Sequence, residues 1–229
     1  MTLQLDLRAP ILVLVAEFNP AIFSLPWIGR HILGKNEGDE SAVTEVTAQT
    51  TNGLVQLSFF DGVAVNFGAG RADLFSLDSD AGALAKISDF VDAMIKALPH
   101  TPLTAIGCNL SYTDAAPRDA ISDLFVTPEG FEGVGALNLK QVGVQMQMDG
   151  PEVLNFNRVL TDKGLRYTFN YHHPESDGAR YAELLPNWIE QCIEHSSGLL
   201  TRLYGYEGYE RVAFGDAQAA DQGGDEGVD

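Results

Sequence analysis

The residue pattern predicts an α+β fold, with antiparallel sheets carrying long helices packed on one face. It further predicts two β-α-β(3-4)-α halves related by a pseudo-repeat. Three observations lead there: stretches in which apolar and polar residues alternate, Asn-Gly and Asp-Gly pairs between them, and two long segments whose apolar residues recur at helical spacing.

The elements follow in order. Leu3–Phe18 is predicted as strand, interrupted or bent near Pro10, with Leu3, Leu5 and Leu7 set against Gln4, Asp6 and Arg8. Asn19-Pro20 then starts a helix, because a capping residue precedes a proline at the first helical position. A short helical stretch interrupted by Pro26 runs on to Leu33. Ala42–Gln49 and Leu54–Phe60 alternate across Asn52-Gly53, and Asp61-Gly62 leads into Val63–Phe67. Arg71–Leu77 is a further strand. A helix capped within Asp78–Asp80 then carries Leu84, Ile87, Val91, Met94, Ile95 and Leu98 on one stripe, and Pro99 and Pro102 end it.

The same order returns. Thr104–Tyr112 reads as a strand, Pro117–Phe125 as a short helix, and Thr127–Gly135 as a Gly-rich loop. Leu137–Met148 is a strand in which valines and methionines alternate with Gln and Gly. Val153–Leu160 and Leu165–Tyr171 form a hairpin across Asp162-Lys163-Gly164, and a helix over about 179–204 closes the unit. The expected division is 1–100 for the first half and 101–206 for the second, packed together as one globular unit. Residues 207–229 form an acidic tail too poor in apolar area to offset chain entropy and expected to be disordered, above all from about Asp216, since Tyr204, Tyr206, Tyr209 and Phe214 can dock the portion before it.

Charge narrows the function classes. Fourteen Lys and Arg face 32 Asp and Glu in 229 residues, a formal net charge of -18. Such a chain repels phosphate backbones and anionic bilayers and lacks the basic footprint of a nucleic-acid binder. Direct nucleic-acid or membrane binding is therefore not expected. A protein partner, including a basic one, fits. The alternating N-terminus does not read as a signal peptide, and the apolar run Ile11–Ala16 is far short of the ~20 residues of a membrane span. The expected setting is the cytoplasm.

No motif names a reaction or a cofactor. His172, His173, Cys192 and His195 are the most tempting metal ligands, since Cys192 and His195 share a helical turn and thiolate and imidazole can share a tetrahedral ion. Against that, Cys192 falls on the apolar stripe of its helix, and buried cysteine packs as a small hydrophobe. Cys108 as a nucleophile lacks a nearby base in sequence. The glycines of Gly68–Gly70 and Gly130–Gly135 precede strands rather than helices, which favours turns over phosphate loops. Asp114, Asp119 and Asp123 are read as spaced along the short helix on a solvated surface. Phe23, Trp27, Phe125 and Phe131 lie in irregular segments, where aromatics either fill the core or anchor a partner.

Taken together the sequence favours a non-catalytic protein-binding or assembly protein without a cofactor. A metal-dependent enzyme using the His/Cys set is the alternative, as is an acidic nucleic-acid mimic that inhibits a basic partner. A symmetric homodimer is compatible, because sheets leave edge strands that need covering.

Overall fold

The structure is a computed structural model that describes residues 2–35, 62–68, 70–117, 121, 125 and 140–213, together with the backbone of 43–50 and 53–60. The alternating segments do become strands. The first is split: β1 (Thr2–Asp6) and β2 (Leu12–Ala16) flank a turn that includes Pro10. A single 3-10 turn at Pro20–Ile22 is capped by Asn19, whose side chain accepts from the Ala21 amide. Helix α1 (Leu25–His31) follows, with Pro26 in its first turn, where a missing N–H costs nothing.

Four antiparallel strands come next: β3 (Val43–Thr50), β4 (Gly53–Phe60), β5 (Val63–Phe67) and β6 (Arg71–Ser76). Thr50 pairs with Gly53 and Phe60 with Val63, so β3–β4 and β4–β5 are hairpins as predicted, with Gly53 already paired in β4. Helix α2 (Ala81–Ala97) is capped by Asp80, which accepts from the Ala83 amide at 2.8 Å. It buries Leu84, Ile87, Val91 and Met94 of the predicted stripe, while Ile95 is half-buried and Leu98 follows the helix as its C-cap.

In the second half, β7 (Leu103–Asp114) is the longest strand. The loop Thr127–Gly135 lies outside the described residues, as does most of the predicted helix 117–125. Strands β8 (Gln141–Gln147), β9 (Val153–Thr161) and β10 (Gly164–Pro174) form an antiparallel meander. The single helix expected over 179–204 is two: α3 (Gly178–Leu184) and α4 (Trp188–Tyr204). Pro186 has no N–H and its ring opposes the carbonyl four residues back, so α3 stops before it. Asn187 then turns the chain through a left-handed conformation at φ 63°.

The start of the acidic tail, ahead of Asp216, is docked as a strand. Gly208–Val212 forms β11, which pairs in parallel with β1, and Arg211 donates to Glu190 of α4 at 2.8 Å. Parallel pairing at this one place departs from the all-antiparallel expectation. Residues 214–229 lie outside the described set.

Among the described residues all eleven strands join one sheet. Its main path runs β3-β4-β5-β6-β2-β7-β10-β9-β8, while β1 pairs with β7 and β11. Outward from the central β2–β7 pair, each arm places its last hairpin strand innermost: β6, β5, β4 on one side and β10, β9, β8 on the other. Helix α2 rests on β5 and β6, α4 on β7 and β11, and the two helices touch. One contiguous apolar cluster joins them, with Leu12, Leu14, Ile106, Leu110, Val91 and Leu200 among its members. No described helix is long and apolar enough to cross a membrane.

The β9–β10 turn depends on Gly164. Its φ is +113°, and a β-carbon there would collide with the carbonyl oxygen of Asp114. Both the backbone angle and the space exclude a side chain. Replacing Gly164 with Ala is expected to lower unfolding stability by about 2 kcal/mol in urea titration, through left-handed strain and displacement of β7.

Candidate interaction surface

Strand alternation gives the β7–β10 arm two chemically different faces. Ile106, Cys108, Leu110 and Tyr112 of β7 are buried, as are Leu165, Tyr167, Phe169 and Tyr171 of β10 and Leu154 and Phe156 of β9. Helix α4 lies on this side: Tyr112 Oη and Ser196 Oγ are 2.8 Å apart, and Tyr171 Oη meets His195 Nδ1 at 2.8 Å.

The opposite face carries Asn109, Ser111 and Thr113 from β7 and Thr168 and Asn170 from β10. Asn155 and Asn157 of β9 join them, all half-buried, with Gln145 of β8 exposed. These side chains are linked. Gln145 Nε2 donates to Asn155 Oδ1 at 2.9 Å, Asn155 Nδ2 to Asn170 Oδ1 at 3.1 Å, and Asn170 Nδ2 to Asn109 Oδ1 at 2.7 Å. A chain of amides thus crosses four strands with every donor pointing the same way. Each amide along it keeps a further N–H or lone pair for another molecule, since an amide has two donors and two acceptor sites. Chains of this kind polarise one another, so the terminal groups bond more strongly than isolated amides. Gln141 extends the pattern toward Asn157 at 3.4 Å. Gly143 leaves room for Asn157, whose Oδ1 occupies the space a β-carbon would take. Arg166, exposed on β10, is the one charged side chain that β7–β10 place on this face.

The predicted metal ligands are not gathered at one point. His172 pairs with Gly107 and Val153 on the amide face. His173 lies on the other face, one step beyond Tyr171, with its Nδ1 buried and lacking a partner. Its electrostatic neighbour is Glu152, at the start of β9. Burial pushes the Glu152 carboxyl up from the usual carboxylate range; the nearness of His173 and a hydrogen bond from Trp188 act the other way. Cys192 is buried, and its thiol is within hydrogen-bond reach of the equally buried Cys108. The Cys108 contact and desolvation push the Cys192 thiol up, away from the reactive thiolate. Desolvation, with Arg202 nearby, pulls the His195 imidazole below its ordinary value. Among the described residues no group of three or more His, Cys, Asp or Glu is arranged to hold a metal ion.

Two aromatic candidates pack inward. The Phe23 ring stacks on Phe67, with centroids 3.9 Å apart, and meets Phe18 and Trp27 edge-on. Trp27 also lies over His31 at 5.0 Å. Phe125 packs against the core, and Phe131 lies outside the described residues. A shallow cleft of about 330 Å³ between the end of α2 and the start of α3 offers little chemistry. Its Asp92 and Lys96 are engaged with each other, and Asp177 caps α3.

Asp114 is the residue whose sequence reading needs correction. It ends β7 and is buried, not set on a surface helix. Its carboxylate accepts from Tyr206 Oη at 2.6 Å and from the Ala116 amide at 2.9 Å, and Tyr206 is 2.9 Å from Tyr167 Oη. Burial pushes the Tyr167 phenol up to about 12, so it stays protonated and able to donate. Glu152 and the amide chain were also missed in sequence. The amide chain left one signal, the alternating Gln of β8 and Asn of β9, but register decides whether such residues meet. Comparison with protein-family models, with curated proteins and with solved structures finds no match to this chain.

Replacing Tyr206 with Phe leaves Asp114 buried with one donor fewer. An expected loss of about 2 kcal/mol in unfolding stability, measured by denaturant titration at neutral pH, follows from the cost of an under-bonded buried carboxylate.

Proposed function

We propose that the chain is a non-catalytic protein-binding or assembly protein, and that the amide face of β7–β10 is its recognition surface. The observation that carries this is the continuous chain from Gln145 to Asn109 across four strands. Ordered side-chain amides present donors and acceptors at fixed spacing, with little conformational entropy left to lose on binding. A nearly uncharged surface on a chain of net charge -18 is also the place where another protein can approach without crossing a field of carboxylates. A basic partner would be drawn by the remaining surface and oriented by this face.

The strand order on either side of β2–β7 supports the inference that the two halves are a pseudo-repeat with α2 and α4 over the same face. On that reading the β3–β6 arm covers the same architectural position that the amide face occupies in the second half.

Replacement of Thr168 with Arg tests the surface. Thr168 is half-exposed, opposite Asn157 and two residues from Asn170, and an arginine there projects into the face without touching the core. Tagged wild type, purified from its native cell, is expected to retain a stoichiometric partner in mass spectrometry. The T168R variant, with unchanged circular dichroism and Tm, is expected to lose it. A chain that retains nothing, or a partner indifferent to T168R, would remove the proposal.

A further inference from the structure

Among the described residues strand β8 is an edge of the sheet, and nothing in its own sequence protects it. Natural edge strands are blunted by charge, proline, bulges or shortness, because their open amides and carbonyls recruit other strands. Residues 141–147 read Gln-Val-Gly-Val-Gln-Met-Gln, with no charge and no proline, and pair with β9 in an unbroken register.

The direction of its backbone groups is fixed. The Lys140 carbonyl accepts from the Leu160 amide, and the Met148 amide donates to the Glu152 carbonyl, so the even-numbered residues bond toward β9. By alternation the N–H and C=O groups of Gln141, Gly143, Gln145 and Gln147 point away from the sheet. The side chains alternate as well. Val142, Val144 and Met146 share the face of Phe156, and Val144 is 45% exposed, one of three large apolar side chains so placed among the described residues.

We propose that β8 is a self-complementary edge that pairs antiparallel with β8 of a second copy, about a two-fold axis at Val144. The inference extends the assembly reading above but uses the edge, not the amide face. Three features fit a copy of the same chain. The strand is nearly palindromic: the axis sets Gln141 opposite Gln147, Val142 opposite Met146 and Gly143 opposite Gln145 of the partner. Those odd-numbered pairs are the ones whose backbone groups face outward, so each exchanges both of its bonds, while Val144 meets Val144 as a close, non-bonded pair. Charge completes the match. Lys140 precedes the strand and Asp149 follows it, both exposed, so antiparallel pairing sets each lysine beside the aspartate end of the other copy. A parallel partner would oppose like charges instead. An isologous contact of this kind closes as a dimer and leaves no further β8 edge free.

The test uses the full chain and two charged variants at the axis. Wild type at about 100 µM is expected to show twice the 24.8 kDa chain mass in light scattering after size exclusion. Val144→Lys and Val144→Glu, each alone, place like charges face to face and are expected to run as monomers with unchanged circular dichroism. An equimolar mixture of the two is expected to recover the dimer mass, because only an axis through residue 144 sets the lysine against the glutamate. A monomeric wild type, a dimer unaffected by V144K, or a mixture that stays monomeric would each overturn the proposal. Loss of the dimer in V144K while the T168R-sensitive partner stays bound separates this contact from the one on the amide face. A monomeric wild type that still retains that partner overturns the edge contact alone.

Discussion

Everything described depends on the alternation along β7. This strand lies at the centre of the sheet and pairs with β2, β10 and β1. Its even-numbered residues, Ile106 to Asp114, enter the apolar core or its polar rim, and its odd-numbered residues, Asn109 to Thr113, face the other way. A slip of one residue would exchange the two sets, burying Asn109, Ser111 and Thr113 under α4 and exposing Tyr112. The cost of burying those polar groups unpaired makes one register overwhelmingly favoured. Both the core under α4 and the amide chain follow from that choice.

The core itself is not purely apolar. Tyr112 reaches Ser196, Tyr171 reaches His195, and Tyr167 reaches Tyr206, which in turn donates to Asp114. Each phenol contributes a large apolar body and sets its hydroxyl against a named partner. These contacts also specify how the pieces fit, since a shifted α4 would leave Ser196 and His195 away from their tyrosines. The bond of Tyr206 to Asp114 fixes the chain between α4 and β11 at the end of β7.

Much of this architecture was legible in the residues and some of it was not. Hairpins at Asn52-Gly53 and Asp61-Gly62, the Asp80 cap and the α2 stripe carry local signals, and local signals are what sequence states directly. The break at Pro186 was equally local, but the apolar stripe running from Leu185 to Leu203 masks it. Non-local facts were out of reach: that β2 meets β7, that β11 returns to β1, and that Gln145, Asn155, Asn170 and Asn109 line up. Each of those needs pairing partners, which alternation does not supply. Cys108 and Cys192 illustrate the limit from the other side. Each reads as a buried apolar residue, and both are, yet their meeting across strand and helix is a tertiary fact.

The parallel β1–β11 pair has a consequence for how the chain assembles on the ribosome. Thr2 pairs with Gly208, so β1 finds this second neighbour only after the two hundred or so residues between them have emerged. Contacts this distant in sequence form late, because the intervening loop must first be ordered by nearer ones. Until then β1 is paired on one flank only, with β7, and its other flank is open. The nascent chain therefore holds an unfinished apolar border until β11 has emerged, the kind of surface on which chaperones act.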